Sequence, residues 1–278
     1  MGDRQLDQTG GRKGMNQLLV HLRQLFTIAV GELSRLAVVQ VRPPFILCYH
    51  GIGNSSYAHD VTKREFAKQM HYLATHYHLV TLDDIVLHLR GKKQLNDSVA
   101  ITFDDGYASI MKIVDILAKY NVKPTVFVMS DQKGVNRQEL ANNHPLLSTK
   151  ELRKLIKLGW TIGSHTVTHP DLTKLSKQQL VEEISGSKLG LERVLNAHIK
   201  YFAYPRGRYT KEAANLVTRS GYHGGFTMDD HELTPGLDRY TIGRIGINHT
   251  HSLQEFQSLS NPWVMRMRKI IKGTGYGT

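Results

Sequence analysis

The stretch Ser98-Val99-Ala100-Ile101-Thr102-Phe103-Asp104-Asp105-Gly106 is a short apolar, β-branched run that stops on two adjacent carboxylates and a glycine. A run this short, closed by a turn signal, reads as a strand. Its lack of a polar face reads as burial on both sides. Neighbouring carboxylates raise each other's pKa unless a positive partner stands close. In parallel α/β folds the working groups sit at the C-terminal ends of strands, so Asp104 and Asp105 are the first candidates for chemistry.

Further runs of the same kind lie on either side. Phe45 to Tyr49 (FILCY) leads into His50, and Pro124 to Met129 (PTVFVM) follows further on. Trp160 to Ser164 (WTIGS) leads into His165, with His169 one short loop beyond. Lys200 to Tyr204 leads into Pro205-Arg206-Gly207, and Tyr222 to Thr227 and Tyr240 to Ile245 complete the set. Helical signals separate them. Phe66, Met70 and Leu73 share one face of a helix over Thr62 to His76. Capping-box pairs stand at Thr81/Asp84, Ser148/Glu151 and Ser176/Gln179, the last opening a long helix to about Leu195. Gly91 and Gly159 stop two of these helices. Other helices follow Tyr107, span Lys211 to Ser220, and follow Ser252. Alternating strands and helices imply an α/β fold on a parallel sheet of about seven strands. It is either curled into a distorted (β/α) barrel or left open and doubly wound; periodicity does not separate the two.

The chain has 278 residues, 40% of them hydrophobic, enough for one sizeable core. Cys48 is its one cysteine, so no intrachain disulfide supports the fold. The formal net charge of +12 favours anionic lipid or acidic glycan partners. The arginine and aromatic pattern of a nucleic-acid module is missing, so nucleic acid is not an expected partner. Residues 1–16 read as a disordered leader, 17–42 as an amphipathic helix, 43–260 as the barrel and 261–278 as a basic tail. The helix is broken by Arg23, Glu32 and Arg35 and falls short of the ~18 apolar residues a span requires. It could pack on the domain or lie on a membrane surface. No secretory signal is visible, so the expected location is cytoplasmic or peripheral to a membrane, with contact through the basic terminal segments. The helix is expected to be dispensable for chemistry.

Asp105, His165 and His169 form a carboxylate and two-imidazole set of the kind that holds a catalytic divalent metal with positions left open. Pro170 disfavours helix at His169, so the two histidines belong to a strand end and the loop after it. His50 reaches the same rim. It is either a general acid or a buried, hydrogen-bonded histidine.

Thr102-Phe103-Asp104-Asp105-Gly106-Tyr107 and Ser164-His165-Thr166-Val167-Thr168-His169 resemble the first two motifs of the polysaccharide deacetylase family. This is the NodB homology domain of carbohydrate esterase family 4, and the resemblance runs from about Ile46 to Ile247. It implies a NodB-like distorted (β/α) barrel with seven strands and Asp104 as general base. It also implies one divalent ion on Asp105, His165 and His169, zinc first, with cobalt, nickel or manganese as alternatives. Phe202-Ala203-Tyr204-Pro205-Arg206-Gly207 looks like the third motif, but alanine stands where the family usually has arginine. That variant is similar to the exopolysaccharide branch acting on poly-N-acetylglucosamine. In that branch an early Tyr-His pair, here Tyr49-His50, supplies the acid; His249 is the rival. Tyr107, Tyr204, Pro205 and Arg206 are implied as substrate or oxyanion contacts. The implied activity is removal of N-acetyl groups from an N-acetylated glycan or lipid-linked sugar, releasing acetate. The alternatives are an O-acetyl esterase on the same site and a catalytically impaired glycan-binding homologue.

Overall fold

Apolar runs become eight parallel strands in the computed structural model, which describes residues 17, 20–31, 42–54, 57–135, 140, 144–229 and 232–271. The expected leader, the second part of the expected N-terminal helix (32–41) and residues 272–278 lie outside the described residues. The strands are β1 (Phe45–Tyr49), β2 (His78–Val80), β3 (Ser98–Phe103), β4 (Thr125–Val128), β5 (Thr161–Ser164), β6 (Tyr201–Ala203), β7 (Gly224–Phe226) and β8 (Ile245–Gly246). Their order across the sheet is β7-β6-β5-β4-β3-β1-β8. β1 and β3 pair along their length, from Phe45 opposite Val99 to Tyr49 opposite Phe103.

Two departures from the sequence reading concern pairing. β2 was not foreseen, because His78-Leu79-Val80 is too short to announce itself. It exists by pairing with Ser98–Ala100 of β3, beside the point where β4 takes Thr102 and Phe103. The strand expected over Tyr240 to Ile245 is mostly absent. Ile242 makes a single bridge to Phe226 of β7, and only Ile245 and Gly246 pair with β1. The backbone changes partners at residues 243 and 244, crossing from one edge strand to the other, so no continuous ladder forms there. That crossing draws β7 and β1 together and curls the sheet. The fold is the distorted (β/α) barrel rather than the open sheet.

The helices are α1 (20–31), α2 (Lys63–His76), α3 (Leu82–Leu89), α4 (Val114–Lys119), α5 (Thr149–Lys157), α6 (Lys177–Val181), α7 (Ser187–Leu195), α8 (Lys211–Arg219), α9 (Leu253–Ser258) and α10 (Pro262–Ile271). All three expected capping boxes form; at Thr81 the hydroxyl accepts from Asp84 N (3.2 Å) and Asp84 accepts from Thr81 N (2.9 Å). The helix expected directly after Tyr107 begins as a 3₁₀ stretch over Ala108–Ile113. The long helix expected from Ser176 is interrupted: a π turn, Glu182–Gly186, separates α6 from α7. α10 falls within the expected tail and buries Val264 and Met265. Among the described residues no helix is long and apolar enough to cross a membrane.

Side chains alternate across each strand. Phe45, Leu47, Tyr49, Val99, Ile101 and Phe103 pack with the helices in the main core. Ile46 and Ala100 join Phe127, Tyr201, Phe226 and Ile242 in a separate inner cluster. Continuing that alternation, Cys48, His50, Thr102 and Asp104 fall on the inner face. The two strands thereby aim their last residues into the mouth of the barrel.

Candidate metal and active site

Asp105 leaves β3 with φ 64°, and Gly106 follows with φ 65°. A Cβ on Gly106 would stand 2.7 Å from Val128 Cγ1, so only glycine fits this turn. The second loop is strained in the same sense, with Thr166 at φ 71° and His169 at φ 65°. Non-glycine residues hold such angles only where the surroundings over-determine them, and such positions cluster at functional sites. Here the surroundings can be named. Glu183, in the π turn, accepts from Val167 N (2.7 Å), Thr168 N (3.0 Å) and Thr168 Oγ1 (2.7 Å). His169 N donates to Thr166 Oγ1 at 2.9 Å. The backbone between the two histidines is therefore clamped from a distant helix.

The result is a compact, buried triad. Asp105 Oδ1 lies 3.5 Å from His165 Nε2 and 3.5 Å from His169 Nε2. Donors on a tetrahedral zinc with ~2.0–2.1 Å bonds stand ~3.4 Å apart, so the spacing fits an ion. His165 Nδ1 lies 2.8 Å from Ala203 O. That bond places the proton on Nδ1 and leaves the Nε2 lone pair facing Asp105. Burial would raise the Asp105 carboxyl, but His165, His50 and His169 hold it well below the usual carboxylate range. Burial would lower His165, and Asp104 and Asp105 overcome it and raise it. His169 is pushed down to about 4 by burial and by His165. The triad can hold a divalent metal as it stands.

Asp104 is excluded from that triad by a partner the sequence did not announce. Arg244 lies at the crossing between β7 and β8 with its side chain fully buried. It grips both carboxylate oxygens: Nη1 to Oδ1 at 2.7 Å and Nη2 to Oδ2 at 2.7 Å. The guanidinium is itself fixed by Thr227 O (3.2 Å from Nε) and Thr102 Oγ1 (3.2 Å from Nη1), and it lies 5.2 Å from the Phe127 ring centroid. Burial would raise the Asp104 carboxyl, yet Arg244 and His165 hold it at about 2. Asp104 Oδ2 stands 4.0 Å from His165 Nε2, so an ionised oxygen faces the triad. Alanine at 203 was the only sequence hint that a guanidinium had to arrive from elsewhere. Nothing in the sequence pointed to Glu183.

His50 reaches the same mouth. Its Nδ1 is buried without a hydrogen-bond partner, and its ring lies 4.8 Å from that of His59. Burial and the neighbouring His50 push His59 down to about 4. Cys48, His50 and Asp104 form a second close trio. It suits a metal poorly, because burial keeps the thiol protonated and Arg244 already holds the carboxylate. His249 Nδ1 lies 2.6 Å from Ala58 O on the loop after β1. Tyr107 is buried, with its ring 5.8 Å from Tyr57 and 5.5 Å from His144. Tyr204 donates its hydroxyl to Tyr240 O (2.9 Å) and its amide to Phe226 O (3.0 Å). Pro205 opens a 3₁₀ turn in which Arg206 has φ 57°, and Arg206 pairs with Asp171 at 3.6 Å.

Residues 91–225 match the polysaccharide deacetylase family. That stretch is just under half of the chain, and relatives that match over most of its length are also described as deacetylases. YxkH of Bacillus subtilis is 28% identical over 206 residues, 73% of this chain and 71% of its own length. A poly-beta-1,6-N-acetyl-D-glucosamine N-deacetylase of Staphylococcus aureus is 26% identical over 216 residues, covering 74% of this chain and 72% of its own. Among solved structures, IcaB from Ammonifex degensii superimposes with TM-score 0.68 at 24% identity, over 81% of this chain and 98% of that one. The deacetylase PplD of Streptococcus pyogenes, solved with acetate, gives 0.69 at 24% identity, over 80% and 100%. These structures share the curled parallel barrel fold of this chain.

Proposed function

We propose that this chain is a polysaccharide deacetylase, a metal-dependent N-deacetylase of a glycan built from N-acetylated amino sugars. The observation that carries the reading is the pairing of a preformed Asp105-His165-His169 triad with an ionised Asp104 that is locked outside it by Arg244. The Staphylococcus aureus relative's named substrate favours a poly-N-acetylglucosamine-like polymer; a lipid-linked N-acetylated sugar has the same reacting group. Basic N- and C-terminal segments favour work near an anionic surface.

A divalent ion, zinc first, with cobalt, nickel or manganese as alternatives, would supply Lewis acidity and lower the pKa of the attacking water toward ~7. Asp104 accepts a proton from that water as it adds to the acetamide carbonyl. Arg244 keeps the carboxylate ionised and oriented while it waits. The backbone N–H of Tyr107 is the candidate donor to the developing oxyanion. His50 gives a proton to the nitrogen as the C–N bond breaks, which releases acetate and a free amino sugar. Tyr57 and His59 put partly open rings beside this mouth, where a pyranose face can stack. Tyr204 and Arg206 direct their polar groups to Tyr240 and Asp171, so any sugar contact there falls to the Pro205 turn.

Alanine at 203, where the family usually has arginine, motivates the impaired-binder reading; the Arg244 guanidinium on Asp104 weighs against it. The test is acetate release by the metal-loaded protein from N-acetylated oligosaccharides, with free amine counted alongside. Equal acetate and amine support the proposal. Acetate without amine would establish the O-acetyl esterase instead, and no acetate from any N- or O-acetylated glycan would overturn both.

A further inference from the structure

α1 is attached to the domain by its polar side. Arg23 Nε pairs with the buried Glu255 at 3.0 Å, and Arg23 Nη2 donates to Thr250 Oγ1 at 3.0 Å. Gln24 Nε2 donates to Thr250 O at 2.5 Å. Thr27 is buried, and a Cβ on Gly31 would collide with the Ser258 side chain. Residues 23, 27 and 31 form one helical stripe, and it faces α9. The opposite stripe is apolar and open to solvent: Leu22 is 52% exposed, Leu25 53% and Phe26 44%. A helix that only covers its own domain turns its apolar stripe inward. This one does the reverse with specific hydrogen bonds, so its apolar stripe is left for another medium.

The chemistry of that medium is set by what lies beside it. α10 follows α9 after only three residues. Burial raises the Glu255 carboxyl and the charge of Arg268 on α10 draws it down, whereas Arg23 pairs with Glu255 directly. α10 exposes Trp263 at 54%. Arg266, Arg268, Lys269 and Lys272 lie within its sequence and just past it, and no acidic residue follows Glu255. Arg12 and Lys13 precede α1. Exposed leucine, phenylalanine and tryptophan on two helices whose adjoining sequence is basic suit the headgroup boundary of a membrane. We propose that the outward face of α1, together with α10, docks on an anionic lipid bilayer without crossing it. This inference stands apart from the deacetylase chemistry.

The test uses the full metal-loaded chain in sedimentation with phosphatidylcholine vesicles, with and without phosphatidylglycerol. Retention by the phosphatidylglycerol vesicles is expected, weakening as salt rises. Leu22→Glu with Phe26→Glu should cut binding by at least ~tenfold, with metal content and melting temperature unchanged. Lys269→Gln with Lys272→Gln should cut it by ~fivefold per charge on the anionic vesicles only. The proposal fails if the anionic vesicles do not retain the wild type or if the glutamate variant binds equally well. It also fails if the wild type is a lipid-independent dimer that the glutamate variant makes monomeric, since a second copy would then cover the face.

Discussion

Arg244 and Asp104 are a buried ion pair, and the pair matters more than either member. Removing one partner from such a pair costs about 3–5 kcal/mol, because the remaining charge is stranded in low dielectric. Arg244→Met should therefore destabilise the fold by that amount in urea unfolding. It should also change the acid limb of stability. Asp104 titrates near ~3.9 in an unfolded chain and is held at about 2 in the folded one. The folded pKa is the lower, so the stabilisation is complete above about pH 4 and lost as the pH falls toward 2. The variant should lose this contribution while Asp105 keeps its own; an unchanged acid limb would mean Arg244 does not set the Asp104 pKa. Asp104→Asn should keep fold and metal yet lose ~10²–10⁴ in turnover. Metal loss in that variant would make Asp104 a ligand. His50→Ala should depress acetamide hydrolysis far more than hydrolysis of an activated aryl acetate, whose leaving group needs no proton. Equal losses would make His50 a sugar-positioning group.

At the scale of elements, the π turn between α6 and α7 does specific work. A π turn adds a residue to one helical turn and is often found at functional sites. Here it carries Glu183, whose carboxylate holds the backbone between His165 and His169. Glu183 touches neither the triad nor the substrate position, so it positions the ligands from behind. Glu183→Ala should weaken metal affinity by ~10–100-fold in a competition titration against a chelator. Glu183→Gln should recover part of that through its remaining carbonyl oxygen. Wild-type affinity in Glu183→Ala would show that Thr166 and the strand ends suffice to set the loop.

For the whole molecule, the question is what α1 contributes. Removing residues before about Val41 deletes Arg23, the partner of Glu255, whose side chain is fully buried in the intact chain. The barrel strands and triad do not include α1, so the truncated chain should still fold and bind metal. It should melt lower, by ~2–4 °C for each kcal/mol lost in a domain of this size. A calorimetric scan with and without metal separates the two contributions. Failure to bind metal after truncation would show that α1 and α9 brace the barrel mouth.

What the sequence determined is what depends on short range. The β1, β3, β4 and β5 runs are buried on both faces and could only be interior strands. Their last residues had to emerge together at one rim, which puts His50, Asp104, Asp105, His165 and His169 on the same side of the sheet. The capping boxes at Thr81, Ser148 and Ser176 were legible because a cap is a contact across three residues. Long-range contacts were not legible. β2 exists only because Ser98–Ala100 offers it an edge. The segment from Tyr240 to Ile245 reads as one strand and is a crossing between two, because a strand is defined by its neighbours and these change at residue 243. Arg244 and Glu183 reach their partners across 140 and about 15 residues of chain. Their sequence surroundings are those of ordinary surface charges. Only the closing of the barrel and the π turn, both tertiary events, turn them toward the site.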